Sequence, residues 1–325
     1  MEDSLTSAID KSCERRKLSR SEWINEACTT HLSLSSGNST IGATTLPCAG
    51  HIFGHKDHNM SDYNDMYSHF KIDVPEFFNF GFDVIDAWAN KDRNKLAMIW
   101  VNQEGEEKKY TFWDLMRLSN QIVNMMIKYG VNKGDRVLIM LPRVPEWWTF
   151  TLALIKRGAV YCPAPTMLTP KDLKYRINLA DIKMVITSEE HADKIDEIVK
   201  DCPTLSCRMI IDSKRPGWIS YQVELEYPAP VSAKLVNLPG MKKTRSTDPL
   251  VIFFTSGTTA EPKMVIHDQS YPLGHIVTAR FWQDVRTNDI HFTLSDTGWA
   301  KSAWGKLYGQ WIEGAAIFVY DIRSK

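Results

Sequence analysis

The sequence predicts an α/β protein built from parallel-sheet βαβ units. Largely apolar runs of three to six residues alternate with helix-length segments between 136 and 211. The runs are rich in Val, Ile, Leu and Met with little polar alternation, as strands covered on both faces require. A chain of 325 residues that is 43% hydrophobic supplies a core for two domains or one large unit.

The elements follow in order. About a quarter of residues 1–60 are Ser or Thr, and stretches such as 33–40 lack any sustained period. This segment reads as a poorly ordered extension. It contains Cys48, His51, His55 and His58, ligand types that suit zinc. Gly50 and Gly54 interrupt their spacing and no apolar residues frame them, so a linker is the default reading. From Tyr63 the chain becomes dense in aromatic residues, and an amphipathic helix is expected near 83–89. Segments 96–101 and 109–112 read as strands joined by the polar turn 102–107, which makes a hairpin. Leu115, Leu118, Ile122, Met125, Met126 and Tyr129 recur at helical spacing, and Gly130 stops the helix.

The βαβ alternation then gives strands at 136–141, 159–162, 184–187 and 209–211, with helices at 145–156, 170–179 and 189–199 between them. Such units close with right-handed crossovers and bind ligands beyond the carboxyl ends of their strands. Residues 217–247 look irregular. A helix continues from 275 to 282, a strand spans 289–294, a last helix runs near 302–313, and a strand at 316–320 follows.

Net charge excludes one class of function. Lys plus Arg and Asp plus Glu both number 39, so nothing resembles a nucleic-acid footprint. The apolar runs are shorter than the roughly 18–20 residues of a membrane helix. Six cysteines (Cys13, Cys28, Cys48, Cys162, Cys202 and Cys207) show no C-x-x-C pairing, and no signal peptide opens the chain. A reduced, cytoplasmic protein is expected.

The chemistry concentrates in Thr255, Ser256, Gly257, Thr258, Thr259, Ala260, Glu261, Pro262 and Lys263, which follow the apolar run 250–254. Four hydroxyls, one glycine and one cation suit a triphosphate. A Walker loop, G-x-x-x-x-G-K-[ST], is not matched: Pro262 stands at its second glycine and Met264 at its hydroxyl position. Met264-Val265-Ile266-His267 favours a strand after the lysine, so the expected setting is strand, loop, strand.

Residues 254–263 closely resemble the signature phosphate loop of the adenylate-forming superfamily, which includes acyl-CoA synthetases, luciferases and peptide-synthetase adenylation domains. Two positions depart from it, Ala260 and Met264, both usually glycine. Met264 resembles the variant of medium-chain acyl-CoA synthetases, and a methyl at Ala260 is costly if that residue needs positive φ. The segments 134–137 and 157–163 are similar to early landmarks of the acyl-CoA synthetases.

The resemblance covers roughly Tyr63 to Lys325 and implies parallel-sheet βαβ subdomains of the large N-terminal domain of adenylate-forming enzymes, incomplete at the C-terminus. Its domain reading is an extension over 1–60 and a truncated AMP-binding domain over 61–325, without the C-terminal lid domain. It implies attack of a short- or medium-chain fatty carboxylate on the α-phosphate of ATP, with Mg2+, then capture of the acyl-adenylate by coenzyme A. The loop residues hold phosphate, and Gly298 and Trp299 in Asp296-Thr297-Gly298-Trp299 match the acyl and pantetheine side of the site. Trp304 extends that wall, against the alternative that Trp304 and Trp311 are core residues at helical spacing. Asp296 reads as a helix N-cap and His267 as structural, since a carboxylate nucleophile needs no base. The lysine expected to complete catalysis, and the segments that hold adenine and ribose, have no counterpart in the sequence. The chain itself is therefore expected to turn over slowly or not at all. An unpaired terminal strand is expected to offer an apolar edge for self-association. Other readings stay open: a non-catalytic nucleotide- or acyl-binding remnant, a Walker-type NTPase, or another adenylate-forming enzyme.

Overall fold

A computed structural model describes residues 63–226, 243–255 and 261–322. The extension 1–60, with its Cys/His cluster, falls outside them. The described residues form two sheets with helices between and around them.

The larger sheet has seven strands: β3 (Arg136–Met140), β4 (Val160–Pro163), β5 (Ile182–Thr187), β6 (Cys207–Ile210), β7 (Ile219–Ser220), β8 (Pro249–Thr255) and β9 (Lys263–Asp268). Their order is β7-β6-β5-β3-β4-β8-β9, all parallel except the antiparallel pair β8–β9. Chain order therefore reverses about β3, with β4 on one side and β5 on the other. The smaller sheet runs β10-β11-β1-β2, from β1 (Leu96–Asn102), β2 (Glu107–Thr111), β10 (Ile290–Phe292) and β11 (Ala316–Asp321).

Local chemistry sets the main helices. In α3 (Phe112–Lys128), Thr111 and Asp114 form a reciprocal capping box, which satisfies two otherwise orphaned amides. Helix α4 (Pro145–Arg157) starts with proline at its first turn and ends at Gly158, whose φ of 71° is a left-handed cap. Helix α5 (Pro170–Leu179) repeats the capping box with Thr169 and Asp172. The short α1 (Tyr63–His69) and α2 (Ala87–Lys91) precede them, and α6 (Glu189–Asp196) follows.

The main core joins the two sheets. Ala97, Met98, Ile317 and Val319 of the smaller sheet share one cluster with Val137, Ile139, Tyr161 and Val251 of the larger, bridged by Trp147, Trp148 and Trp311. Buried indoles need acceptors, and Trp148 and Trp311 donate to the carbonyls of Lys306 and Ala97. A second cluster fills the opposite face of the larger sheet beneath α5 and α6.

Several expectations are corrected. The helix expected at 83–89 is π-helical over Gly81–Asp86 before α2. The segment read as irregular holds β7 and α7 (Tyr221–Glu226), while 227–242 lies outside the described residues. The helix expected from 275 begins earlier, as α8 (Tyr271–Val277), with Pro272 in its first turn. The last helix is two, α9 (Lys301–Gly305) and α10 (Tyr308–Ile312), because Lys306 and Leu307 leave helical geometry. Finally, β11 is no edge: it inserts between β1 and β10 and pairs in parallel with both. The basis for the predicted self-association is therefore absent at that strand.

Candidate active site

The β8–β9 hairpin carries both ends of the 255–263 motif. Antiparallel pairing runs from Pro249↔Asp268 to Thr255↔Lys263, so the first hydroxyl and the lysine of the motif form the last rung. Both residues are exposed. Ser256, Gly257, Thr258, Thr259 and Ala260 lie outside the described residues. Glu261 and Pro262 lead into β9, and the Tyr175 hydroxyl of α5 donates to the Pro262 carbonyl at 3.2 Å. Alternation places Thr255, Lys263 and Phe253 on one face of the hairpin and Phe254 and Met264 on the other. Phe254 packs into the cluster beneath α5, with Met264 against its margin.

From β9 a column of rings leads toward the second motif. His267 stacks on Tyr271 at 4.1 Å, Tyr271 meets His275 edge-on at 4.7 Å, and His275 stacks on Tyr308 at 5.5 Å. The Tyr308 and Tyr161 hydroxyls share a 2.5 Å hydrogen bond in the core. Burial pushes the His275 imidazole down to about 4, with His267 adding to the effect, and burial also lowers His267. Both rings are therefore neutral at neutral pH, in accord with a packing role for His267.

The segment 296–299 docks on strand ends at the reversal of chain order. Thr297 is buried and its hydroxyl donates to the Leu141 carbonyl just past β3 at 2.6 Å. Gly298 lies against the backbone beyond β4: a Cβ there would stand 2.1 Å from the Pro165 nitrogen and 2.5 Å from the Ala164 carbonyl carbon. The space beside Gly298, matched above to the acyl and pantetheine side of the site, is thus filled by protein backbone, and only glycine permits the approach. Asp296 is not the N-cap of α9. Its carboxylate accepts from the Gly298 amide at 2.8 Å, a turn that precedes the helix, because α9 begins only at Lys301.

This docking leaves Trp299 and Trp304 half exposed, at 48% and 45%. The Trp304 indole donates to the Tyr271 hydroxyl at 3.2 Å, so the ring column joins this wall to β9. Trp311 has the opposite fate and is fully buried. Helical spacing alone could not separate the two.

Three residues escaped the sequence reading. Tyr271 links the hairpin and Trp304. Lys306 is almost completely buried, and burial, reinforced by Arg143, pushes its ammonium down to about 7. Arg176, 8% exposed, lies over the Phe254 ring at 4.8 Å. The signal for Arg176 was a cation inside the buried stripe Leu173, Arg176 and Ile177 of α5.

The geometry sets the two ends of the 255–263 motif on an antiparallel hairpin, apart from the strand-end segment 296–299, and comparison with known proteins supplies the family. The family described as AMP-binding enzyme matches residues 85–325, well over half of the chain. The chain belongs to the AMP-binding enzyme family. Within this AMP-binding family it is 40% identical to mouse acyl-coenzyme A synthetase ACSM5, mitochondrial, over 77% of the chain and 43% of that protein. It is 37% identical to human acyl-coenzyme A synthetase ACSM3, mitochondrial, over 82% of the chain and 47% of that protein. A crystal structure of Brucella canis acyl-CoA synthetase shares the fold, with a TM-score of 0.71 and 22% identity over 81% of the chain and 48% of that structure. The chain thus spans less than half the length of the curated relatives it matches here. The resemblance to adenylate-forming enzymes is borne out at the level of family and fold.

Among the described residues no helix is long and apolar enough to cross a membrane. Among the same residues no group of three or more His, Cys, Asp or Glu is placed to hold a metal.

Proposed function

We propose that this AMP-binding chain supplies the phosphate-holding and acyl-facing parts of an enzyme that joins a short- or medium-chain fatty acid to coenzyme A. The observation that carries the reading is the hairpin whose last rung is Thr255 and Lys263. In the first step a carboxylate oxygen attacks the α-phosphorus of ATP, and the bond to pyrophosphate breaks. In the second a thiol attacks the acyl carbonyl, and AMP leaves. Such chemistry asks the protein mainly to position groups and offset charge. Lys263 supplies a cation to the leaving pyrophosphate and Thr255 a neutral donor. Magnesium commonly binds through substrate phosphates, a few carboxylates and water, so it needs no preformed cage and would neutralise phosphate charge here. Trp299 and Trp304 offer flat apolar surface to the acyl chain.

The 325-residue polypeptide binds nucleotide but turns it over slowly or not at all in this reading. A cytoplasmic location belongs to the same proposal, with the mitochondrial location of the two curated relatives as the alternative that cell fractionation distinguishes.

Calorimetry with ATP and carboxylate-dependent ATP–pyrophosphate exchange test the reading together. ATP binding that Lys263→Ala weakens, with exchange near background, is the expected result. Robust exchange overturns the slow turnover, and ATP affinity unchanged in Lys263→Ala removes the phosphate-loop assignment. The strand that follows Lys263 disfavours a Walker-type NTPase, whose lysine opens a helix.

A further inference from the structure

Arg176 has a problem that the fold leaves unsolved. It sits in the buried stripe of α5, 8% exposed, and its Nε is buried without a hydrogen-bond partner. Among the described residues nothing accepts a hydrogen bond from its guanidinium and no carboxylate pairs with it within 4 Å. Its direct partner is the face of Phe254, 4.8 Å away. Such a contact is worth roughly 2 kcal/mol when desolvated, less than the several that burying a charge costs. Burial lowers the Arg176 pKa, and Asp172 is the acid that opposes it. That carboxylate is already committed, accepting from the Thr169 hydroxyl at 2.6 Å and the Thr169 amide at 3.1 Å in the capping box of α5.

The contrast with Lys156 shows what a satisfied buried cation looks like in this protein. Lys156 Nζ is 2.6 Å from Asp86 and 2.7 Å from Asn120. Arg176 lacks any such pair, and it lies where an anion is expected. Phe254 immediately precedes Thr255, and the neighbouring Tyr175 grips the Pro262 carbonyl just before Lys263. Arg176 reaches the hairpin on the Phe254 face, opposite Lys263.

We propose that Arg176 is a second phosphate-binding cation, which takes a diphosphate oxygen beside the last rungs of the hairpin while Lys263 approaches from the other face. A guanidinium is suited to this, because its planar donors match phosphate geometry and it is desolvated more easily than an ammonium. The inference rests on reading the hairpin as a phosphate loop. Two substrates of the proposed reaction carry a diphosphate, ATP and coenzyme A.

The test is calorimetric titration of the full chain with inorganic pyrophosphate, paired with thermal melts. Arg176→Met keeps the stem packed on Phe254 and removes the charge. It is expected to weaken pyrophosphate binding about tenfold or more, while the melting temperature holds or rises because an unpaired buried charge is gone. Arg176→Lys, which keeps the charge but not the fork, is expected to fall between the variant and the wild type. If ATP binding weakens in Arg176→Met but AMP binding does not, the diphosphate is that of ATP. If coenzyme A weakens but pantetheine does not, it is that of coenzyme A. Pyrophosphate affinity within twofold of wild type in Arg176→Met, with a clear loss in Lys263→Ala, overturns the role of Arg176 and leaves the loop reading standing. No loss in either variant, or no binding by the wild type, overturns both. A lower melting temperature in both Arg176 variants with unchanged affinity assigns Arg176 to packing and also overturns the proposal.

Discussion

The two ends of the seven-stranded sheet treat their polar groups in opposite ways. Around β6 and β7 the two arginines, Arg208 and Arg215, each have fixed acids. Arg215 bonds Glu189 and Asp196, each at 2.8 Å, and also Asp193, while Asp196 takes Arg208 and the Trp218 indole as well. Around β8 and β9 the groups are left open. Among the described residues Arg176 has no acceptor and the His275 Nε2 is buried without a partner, while Trp299 and Trp304 are half exposed. The first end is closed by its own residues. The second holds polar and aromatic groups that packing does not explain, where a site is expected to give up some stability.

The largest effect should come from a residue that belongs to neither open group. Trp311 is fully buried, packs near Phe112 and donates to Ala97. Trp311→Ala should cost about 3–5 kcal/mol, read as a shifted urea midpoint. A cost below about 1 kcal/mol would break the distinction between this tryptophan and the exposed pair.

Next is the pH dependence of the open end. An unfolded histidine takes up its proton near about 6.5, whereas folded His275 does so only near about 4. Between these values the unfolded state binds more protons, so stability falls as pH drops through the window and levels off below it. The full loss is about 3 kcal/mol. His267 and His291 are lowered too and act in the same direction. The measurement is therefore the difference between wild type and His275→Asn, which should change between pH 6.5 and 4. A flat difference curve would place His275 on solvent.

Gly298→Ala tests the strand-end docking. With Pro165 nitrogen 2.1 Å from the new Cβ, the segment 296–299 must shift, at a cost of about 1–3 kcal/mol. Faster proteolysis near Trp299, with the hairpin spared, would show that the strain stays local.

These positions also show which signals a sequence carries. The βαβ alternation was legible because a two-sided buried strand imposes an apolar run, and β3, β4 and β5 fall where such runs stand. The helix at Pro170–Leu179 was legible to the residue, because Thr169, Pro170 and Asp172 mark its start chemically. The break at Lys306 was hidden, since Trp304, Leu307, Tyr308 and Trp311 satisfy one helical period whether or not the backbone is continuous. The insertion of β11 between β1 and β10 was hidden for a related reason: local pattern says that a strand exists, not which partners it finds. In the site, the motif at 255–263 was readable because its residue types are chemically unusual together. Tyr271 and Arg176 were not, because each matters through a partner distant in sequence, Trp304 in one case and Phe254 in the other.

The smallest change in stability should come from the exposed wall, and it sharpens the comparison most. Trp304 is 45% exposed, so Trp304→Ala should shift the urea midpoint by the equivalent of less than about 1 kcal/mol. If the indole lines an acyl pocket, the same variant should weaken binding of a medium-chain fatty acid such as octanoate about tenfold in calorimetry, since an apolar face of that size is worth more than 1 kcal/mol. Tyr271→Phe removes only the 3.2 Å hydrogen bond that holds the ring, so its effect should be about twofold and confined to the acid, with ATP affinity unchanged. Equal weakening of acid and ATP binding by Tyr271→Phe would mean that the ring column couples the wall to the phosphate hairpin. That result would make the open end of the sheet one connected site instead of two neighbouring ones.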